Sequence, residues 1–195
     1  MATPNTRNAA AWKPDVAGGV YVAPLGTTLP TDASTALDSA ITDGALGYVS
    51  DAGLVPTRDT SVEKPKAWGG DVIAQLLTDE SRSFNFTLLE LFSQAVQEFI
   101  HGAANVAYVA AGSGTNSTFA IQDRGGKPEQ CVMVFEMRSG DRRRRIVVPL
   151  ADPVVDSEEP AVDGELSAYG VTVEALKDSN GVRVYEYLEG DDALA

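Results

Sequence analysis

The stretch QCVMVFEMRSGDRRRRIVVPL, residues 130–150, decides the fold class. Gln130 to Arg138 is apolar on both faces through its middle, the pattern of a buried strand. Ser139-Gly140-Asp141 is a tight turn, and Arg142 to Leu150 is the antiparallel return. Toward the C-terminus, Leu166 to Leu176 and Val182 to Leu188 flank Asp178-Ser179-Asn180-Gly181. Asn-Gly between alternating apolar runs predicts a β-hairpin. Toward the N-terminus, Thr118 to Gln122 and Val106 to Ala110 are short strands separated by the turn cluster Gly112 to Ser117.

Further upstream, Ser83-Phe84-Asn85-Phe86 alternates, and Asp71 to Thr78, Leu46 to Ser50 and Gly19 to Pro24 have strand character. Val55 to Trp68 (VPTRDTSVEKPKAW) carries five charges and two prolines, which predicts a long exposed loop. Pro30 to Thr42 is small and polar, a loop with one helical turn.

One amphipathic helix is expected, over about 87–101. Thr87-Leu88-Leu89-Glu90 has the form of a capping box, with Phe86 and Leu91 as its staple. Leu88, Leu91, Phe92, Ala95, Val96 and Phe99 make one apolar stripe, which predicts a buried Phe92. Gly102 is the stop. These elements predict a mainly β, α+β protein: an antiparallel β-sandwich or open barrel of eight to ten strands with one flanking helix. The expected organisation is an N-terminal arm at 1–17, one β domain at 18–190 and an acidic tail at 191–195. No second hydrophobic core and no internal repeat is expected.

The chain has 195 residues, with 28 Asp and Glu against 15 Lys and Arg, a formal net charge of −13. Duplex binding needs clustered cations, so that balance argues against it, and equally against adsorption to anionic lipid. No apolar run reaches the length of a membrane span, and Met1 to Arg7 has no secretory pattern. From Ala151 onward there are twelve acids and two bases. The acidity therefore belongs to the C-terminal quarter.

Site chemistry is sparse. There is one histidine, His101, and one cysteine, Cys131. A Cys/His zinc site needs about four ligands, and a Ser-His-Asp arrangement could use only His101. No metal, cofactor or catalytic residue is expected. Gly112-Ser113-Gly114 lacks the Gly-Lys-Ser/Thr ending of a phosphate loop. The pairs Glu158-Glu159 and Asp191-Asp192 sit in segments of exposed character. Arg142, Arg143, Arg144 and Arg145 form the one basic cluster; they suit carboxylate partners, within the chain or across an interface.

Several segments in sequence order resemble a known family. Gly44-Ala45-Leu46-Gly47-Tyr48-Val49-Ser50-Asp51-Ala52-Gly53 is similar to the opening motif of major tail proteins of long-tailed phages of actinobacteria. The resemblance continues through Ala67-Trp68-Gly69-Gly70, Thr78-Asp79-Glu80 and Phe84 to Leu91. It closes with Ala168-Tyr169-Gly170-Val171-Thr172-Val173 and Asn180-Gly181. It implies a structural, non-enzymatic tail tube protein of the virion, made in the host cytoplasm. Six copies would form a ring, and rings would stack into a hollow tube. The implied partners are other copies, the tape-measure protein and tail-terminus proteins, with DNA passing through the lumen unbound.

In that setting Arg58, Asp59, Glu63, Lys64, Lys66 and Trp68 are the expected contacts between rings. Glu165, Glu174 and Glu186 are candidate lumen acids, and Arg142 to Arg145 candidate intersubunit ion-pair residues. A negatively charged lumen would repel DNA phosphates. A virion decoration or binding protein built as a β-sandwich is the alternative.

Overall fold

The computed structural model describes residues 9–156 and 162–190. Ten strands and two helices follow in order: β1 (Lys13–Pro14), β2 (Val20–Ala23), α1 (Ser39–Thr42), β3 (Val55–Glu63), β4 (Leu76–Leu88), α2 (Gln94–His101), β5 (Val106–Val109), β6 (Thr118–Ile121), β7 (Cys131–Ser139), β8 (Arg142–Val155), β9 (Tyr169–Ala175) and β10 (Tyr185–Glu189). The mainly β, antiparallel architecture agrees with the sequence pattern.

β8 organises the molecule. Along one edge it pairs with β7, the hairpin expected from residues 130–150. Along its other edge, Ala151–Val155 pairs with β9 and Arg143–Val147 pairs with β10. Pro149 and the register shift between Cys131 and Met133 lie between these halves. A proline and a bulge interrupt the ladder, so the strand bends between its β10-paired and β9-paired halves. The main path is β1-β7-β8-β9-β4-β3, with β2 on β7 and β10 on β8.

The sheet curls until β4 faces β7. The Phe84 and Phe135 rings stack at 5.3 Å, and Phe86 meets Phe135 edge-on at 5.8 Å. The core between them includes Leu88, Met133, Ile146, Val148, Val171 and Val173, all at most 1% exposed. Residues 44–50 lace the open seam: Leu46 N–H donates to Val20 O, and Ser50 N–H donates to Thr87 O. Gly44 fits there because a Cβ would lie 1.8 Å from Val22 O. A second cluster, including Ile41, Val132, Val134 and Val147, fills the opposite face of β2, β7 and β8. The single core expected from sequence is therefore two layers, because both faces of β7 are apolar and the 24–45 segment covers the outer one.

Four expectations about the segments from 46 to 101 need correction. β4 runs on through Thr87 and Leu88, so the helix begins at Gln94 with Ser93 as its N-cap. Thr87 pairs with Gly170 across the sheet, and the Glu90 carboxylate accepts from Tyr48 N–H at 2.8 Å. Sheet pairing and this tertiary bond outcompete the local capping box. Phe92 is 90% exposed, not buried. Val55–Glu63 is a paired strand, so the charged segment is half of a ribbon and not a loop. Leu46 to Ser50 makes only isolated bridges.

The Asn180-Gly181 turn does not join a hairpin. β9 and β10 run in the same direction along one edge of β8, and 176–184 is an excursion between them. The Asp178 carboxylate closes it, accepting from Asn180 N–H and Val182 N–H at 2.8 and 2.9 Å and from the Tyr185 hydroxyl at 2.8 Å.

Candidate functional site

β9 covers β4 only from Ser83 to Leu88. From Arg82 back to Leu76, β4 has β3 as its strand partner, so the two form a projecting arm with its tip at 64–75. A register shift between Ser61 and Val62 adds local twist. The tip is closed by Ala67 N–H donating to Asp71 O at 2.7 Å and Ile73 N–H to Pro65 O at 2.9 Å. Trp68 stands fully in solvent, with Ile73 69% and Leu77 59% exposed. The residues expected to touch a neighbouring ring all lie on this arm. Arg58 and Glu80 form an ion pair across it; Asp59, Glu63, Lys64 and Lys66 are exposed.

The two faces of the sheet near this arm differ in charge. Phe84 and Phe86 point into the core, so Asp79, Ser81, Ser83 and Asn85 point outward. Cross-strand register extends that outer face to Asp59 and Thr57 on β3, Thr172 and Glu174 on β9, and Asp152 on β8. None of the outward strand positions carries Lys or Arg. Thr172 Oγ1 lies between Asn85 Oδ1 and the Asp156 carboxylate, with one proton to donate to either. From a loop, Lys127 Nζ reaches Asp152 and holds its carboxyl below the ordinary range. The bases on the two strands of the arm, Arg58 and Arg82, sit on the opposite face.

The candidate acids therefore separate. Glu174 belongs to the outward acidic face. Glu186 does not: it accepts from Arg144 Nε at 2.8 Å and pairs with Arg82 at 3.4 Å. Glu165 is exposed in the segment before β9. Sequence reasoning missed Asp59 as a face acid, along with Asp79, Asp152 and Asp156. The period-two alternation around Phe84 and Phe86 was the signal that could have found Asp79. Glu158-Glu159, Asp191-Asp192, the tail 191–195 and arm residues 1–8 lie outside the described residues.

The four arginines also separate. Arg145 is 4% exposed in its side chain, paired with Glu136 and donating to Asp32 O at 2.9 Å. Asp32 caps its own turn, accepting from Thr35 and Ser34, which keeps its carboxyl below the ordinary range. Arg144 holds Glu186 and lies 6.0 Å from the Trp12 ring. Arg142 donates to Ala9 O at 3.1 Å, and Arg143 to Ser34 O at 3.4 Å. Within one copy these residues tie the N-terminal segment and the 24–45 cover onto β8.

His101 ends α2 with its ring 6.2 Å from Tyr169. Cys131 is buried, and burial pushes its thiol up to about 12. The shifted carboxyls Asp32, Asp152 and Asp178 are all displaced downward, the opposite of what a general acid needs. Among the described residues no cluster could hold a metal ion, and no helix is long and apolar enough to cross a membrane.

What the surface offers is an arm with an exposed apolar tip, an acidic sheet face and, among the described residues, a β3 edge with no strand partner, a set suited to assembly. A search of curated proteins returned no match. A family model described as phage tail tube protein matches residues 6–195, nearly the whole chain. The chain belongs to the phage tail tube protein family, whose members are structural components of the phage tail.

Proposed function

We propose that six copies of this chain close into a ring, that the rings stack, and that the resulting tube conducts genomic DNA. The observation that carries this reading is the sorting of charge by face. The outward side of β9, β4, β3 and the Ala151–Val155 half of β8 holds Asp59, Asp79, Asp152 and Glu174 with no base at a strand position. A tube lined by that side would repel phosphates and let DNA slide. A basic lining would bind it through counterion release. Glu174 is then a lumen acid. Glu186 serves the wall as an ion-pair partner, and Glu165 is a weaker lumen candidate at a loop.

Among the described residues β3 pairs only with β4, and an edge with unpaired N–H and C=O groups favours a strand from the next copy, which supports ring closure. The projecting arm supports stacking, with Arg58, Asp59, Glu63, Lys64, Lys66 and Trp68 placed to meet another ring. Arg142 and Arg143, half-buried at the turn end of β8, are better placed than the buried Arg145 to add an intersubunit contact. The tape-measure and tail-terminus proteins would be the other partners, with assembly in the host cytoplasm.

Negative-stain microscopy of the concentrated protein tests the reading. Sixfold rings or hollow tubes are expected. Monodisperse monomer at high concentration, together with no tail labelling in virions, would overturn it.

A further inference from the structure

Among the described residues β5 and β6 pair only with one another, as a two-stranded sheet reached through α2. Two strands alone are marginal in water. Val106 lies opposite Ile121 and Tyr108 opposite Phe119, so these four share one face, with the Tyr108 and Phe119 rings 4.8 Å apart. That face is not turned into either core cluster. Tyr108 stays 37% exposed and Ile121 40% exposed.

From Gly102 to Gln122 there is no charged residue, in a chain of net charge −13. Like-charged copies repel one another, so a second copy approaches at least cost where charge is absent. The arm tip is the other apolar and weakly charged surface. Between Lys64 and Leu77 its charges are Lys64, Lys66 and Asp71, in sum slightly basic.

The two surfaces lie at opposite ends of β4. The Leu88 end pairs with Tyr169, which touches His101 at the end of α2, just before β5. The tip lies beyond Leu76. Thirteen strand residues separate the ends by roughly 40 Å. Unlike patches at opposite ends make a head-to-tail contact, which propagates from copy to copy unless a rotation closes it into a ring.

We propose that the Val106, Tyr108, Phe119 and Ile121 face of one copy receives the arm tip of a second copy, Trp68 packing against the hairpin. The inference rests on the tube reading above and names the acceptor for the arm. The uncharged hairpin removes the cost of bringing two acidic bodies together, and the tip buries its apolar side chains there. The same contact covers the open face of a hairpin that is marginal alone.

The test mixes full-length Trp68→Cys copies with differently tagged Ile121→Cys copies under a short bismaleimide. Buried Cys131 adds no background. Cross-links between the two variants are expected in tubes and absent from dilute monomer. Ile121→Lys should raise the concentration needed for assembly at least about tenfold. Adding Trp68→Glu to Ile121→Lys should recover part of that loss through the new opposite charges, an effect that damage to the fold would not give. Tubes of the mixed cysteine variants without the 68–121 cross-link, or with Ile121→Cys copies linked to each other instead, overturn the proposal while the tube reading stands. Normal assembly of Ile121→Lys does the same. A wild-type protein that stays monomeric overturns both.

Discussion

Arg144 and Arg145 are neighbours on β8 with different energetics. Arg145 is buried against Glu136 and carries a bond to Asp32 O. Arg145→Ala leaves a half-buried carboxylate without its partner, which costs about 3–5 kcal/mol. Arg144 and Glu186 are 22% and 29% exposed in their side chains. Arg144→Ala should therefore cost about 1 kcal/mol or less; urea unfolding of both variants checks the order. Asp178 gives a pH signature. Val182 N–H first, then the Tyr185 hydroxyl and Asn180, hold its carboxyl below the ordinary value. Its stabilising contribution is present above the unfolded value of about 3.9 and is lost as pH falls through the folded value. Asp178→Asn should flatten that acid loss, measured as urea midpoints across the acid range; an unchanged acid slope would show that this carboxylate is not part of it. The arginine run and the Asp-Ser-Asn-Gly turn were visible in the sequence. Which arginine is buried was not, since four consecutive identical residues carry no internal signal and only the outer cover distinguishes them.

The helix shows at the element scale how a local motif yields to a sheet. Thr87-Leu88-Leu89-Glu90 satisfies the capping-box pattern, yet each of its ends has a stronger partner. Thr87 sits in the β4 ladder with Gly170, and Glu90 binds Tyr48 N–H across 42 residues. The apolar stripe survives in its C-terminal part: Val96, Phe99 and Ile100 are buried. Phe99→Ala should cost about 3–5 kcal/mol. Phe92→Ala, at a fully solvated position, should stay within about 0.5 kcal/mol. Thermal melting of the pair decides, and equal losses would restore the longer helix. The Asn-Gly turn teaches the same lesson. Its local geometry was legible, but β8 claims both flanking strands, so they extend one another and do not fold back.

At the scale of the molecule, the proposed lumen rests on which face each charge occupies. Asp59→Lys, Asp79→Lys and Glu174→Lys together reverse the acidic face without touching either core cluster. Tubes should still form, and DNA ejection should slow most at low salt, where screening is weakest. Phage carrying the triple variant check this, and unchanged ejection at low ionic strength would move the lumen elsewhere. By itself the sequence determined the β class, the β7–β8 hairpin, the polar excursion at 55–68 and the family, because periodicity and motif order are properties of neighbouring residues. Only the tertiary structure decided that the excursion is a paired arm, that Glu186 is an ion-pair partner and not a face acid, and that five acids from four separate segments meet on one surface. Cross-strand register creates those neighbours, and register is set by which strands share β8, a choice made by packing across the whole chain.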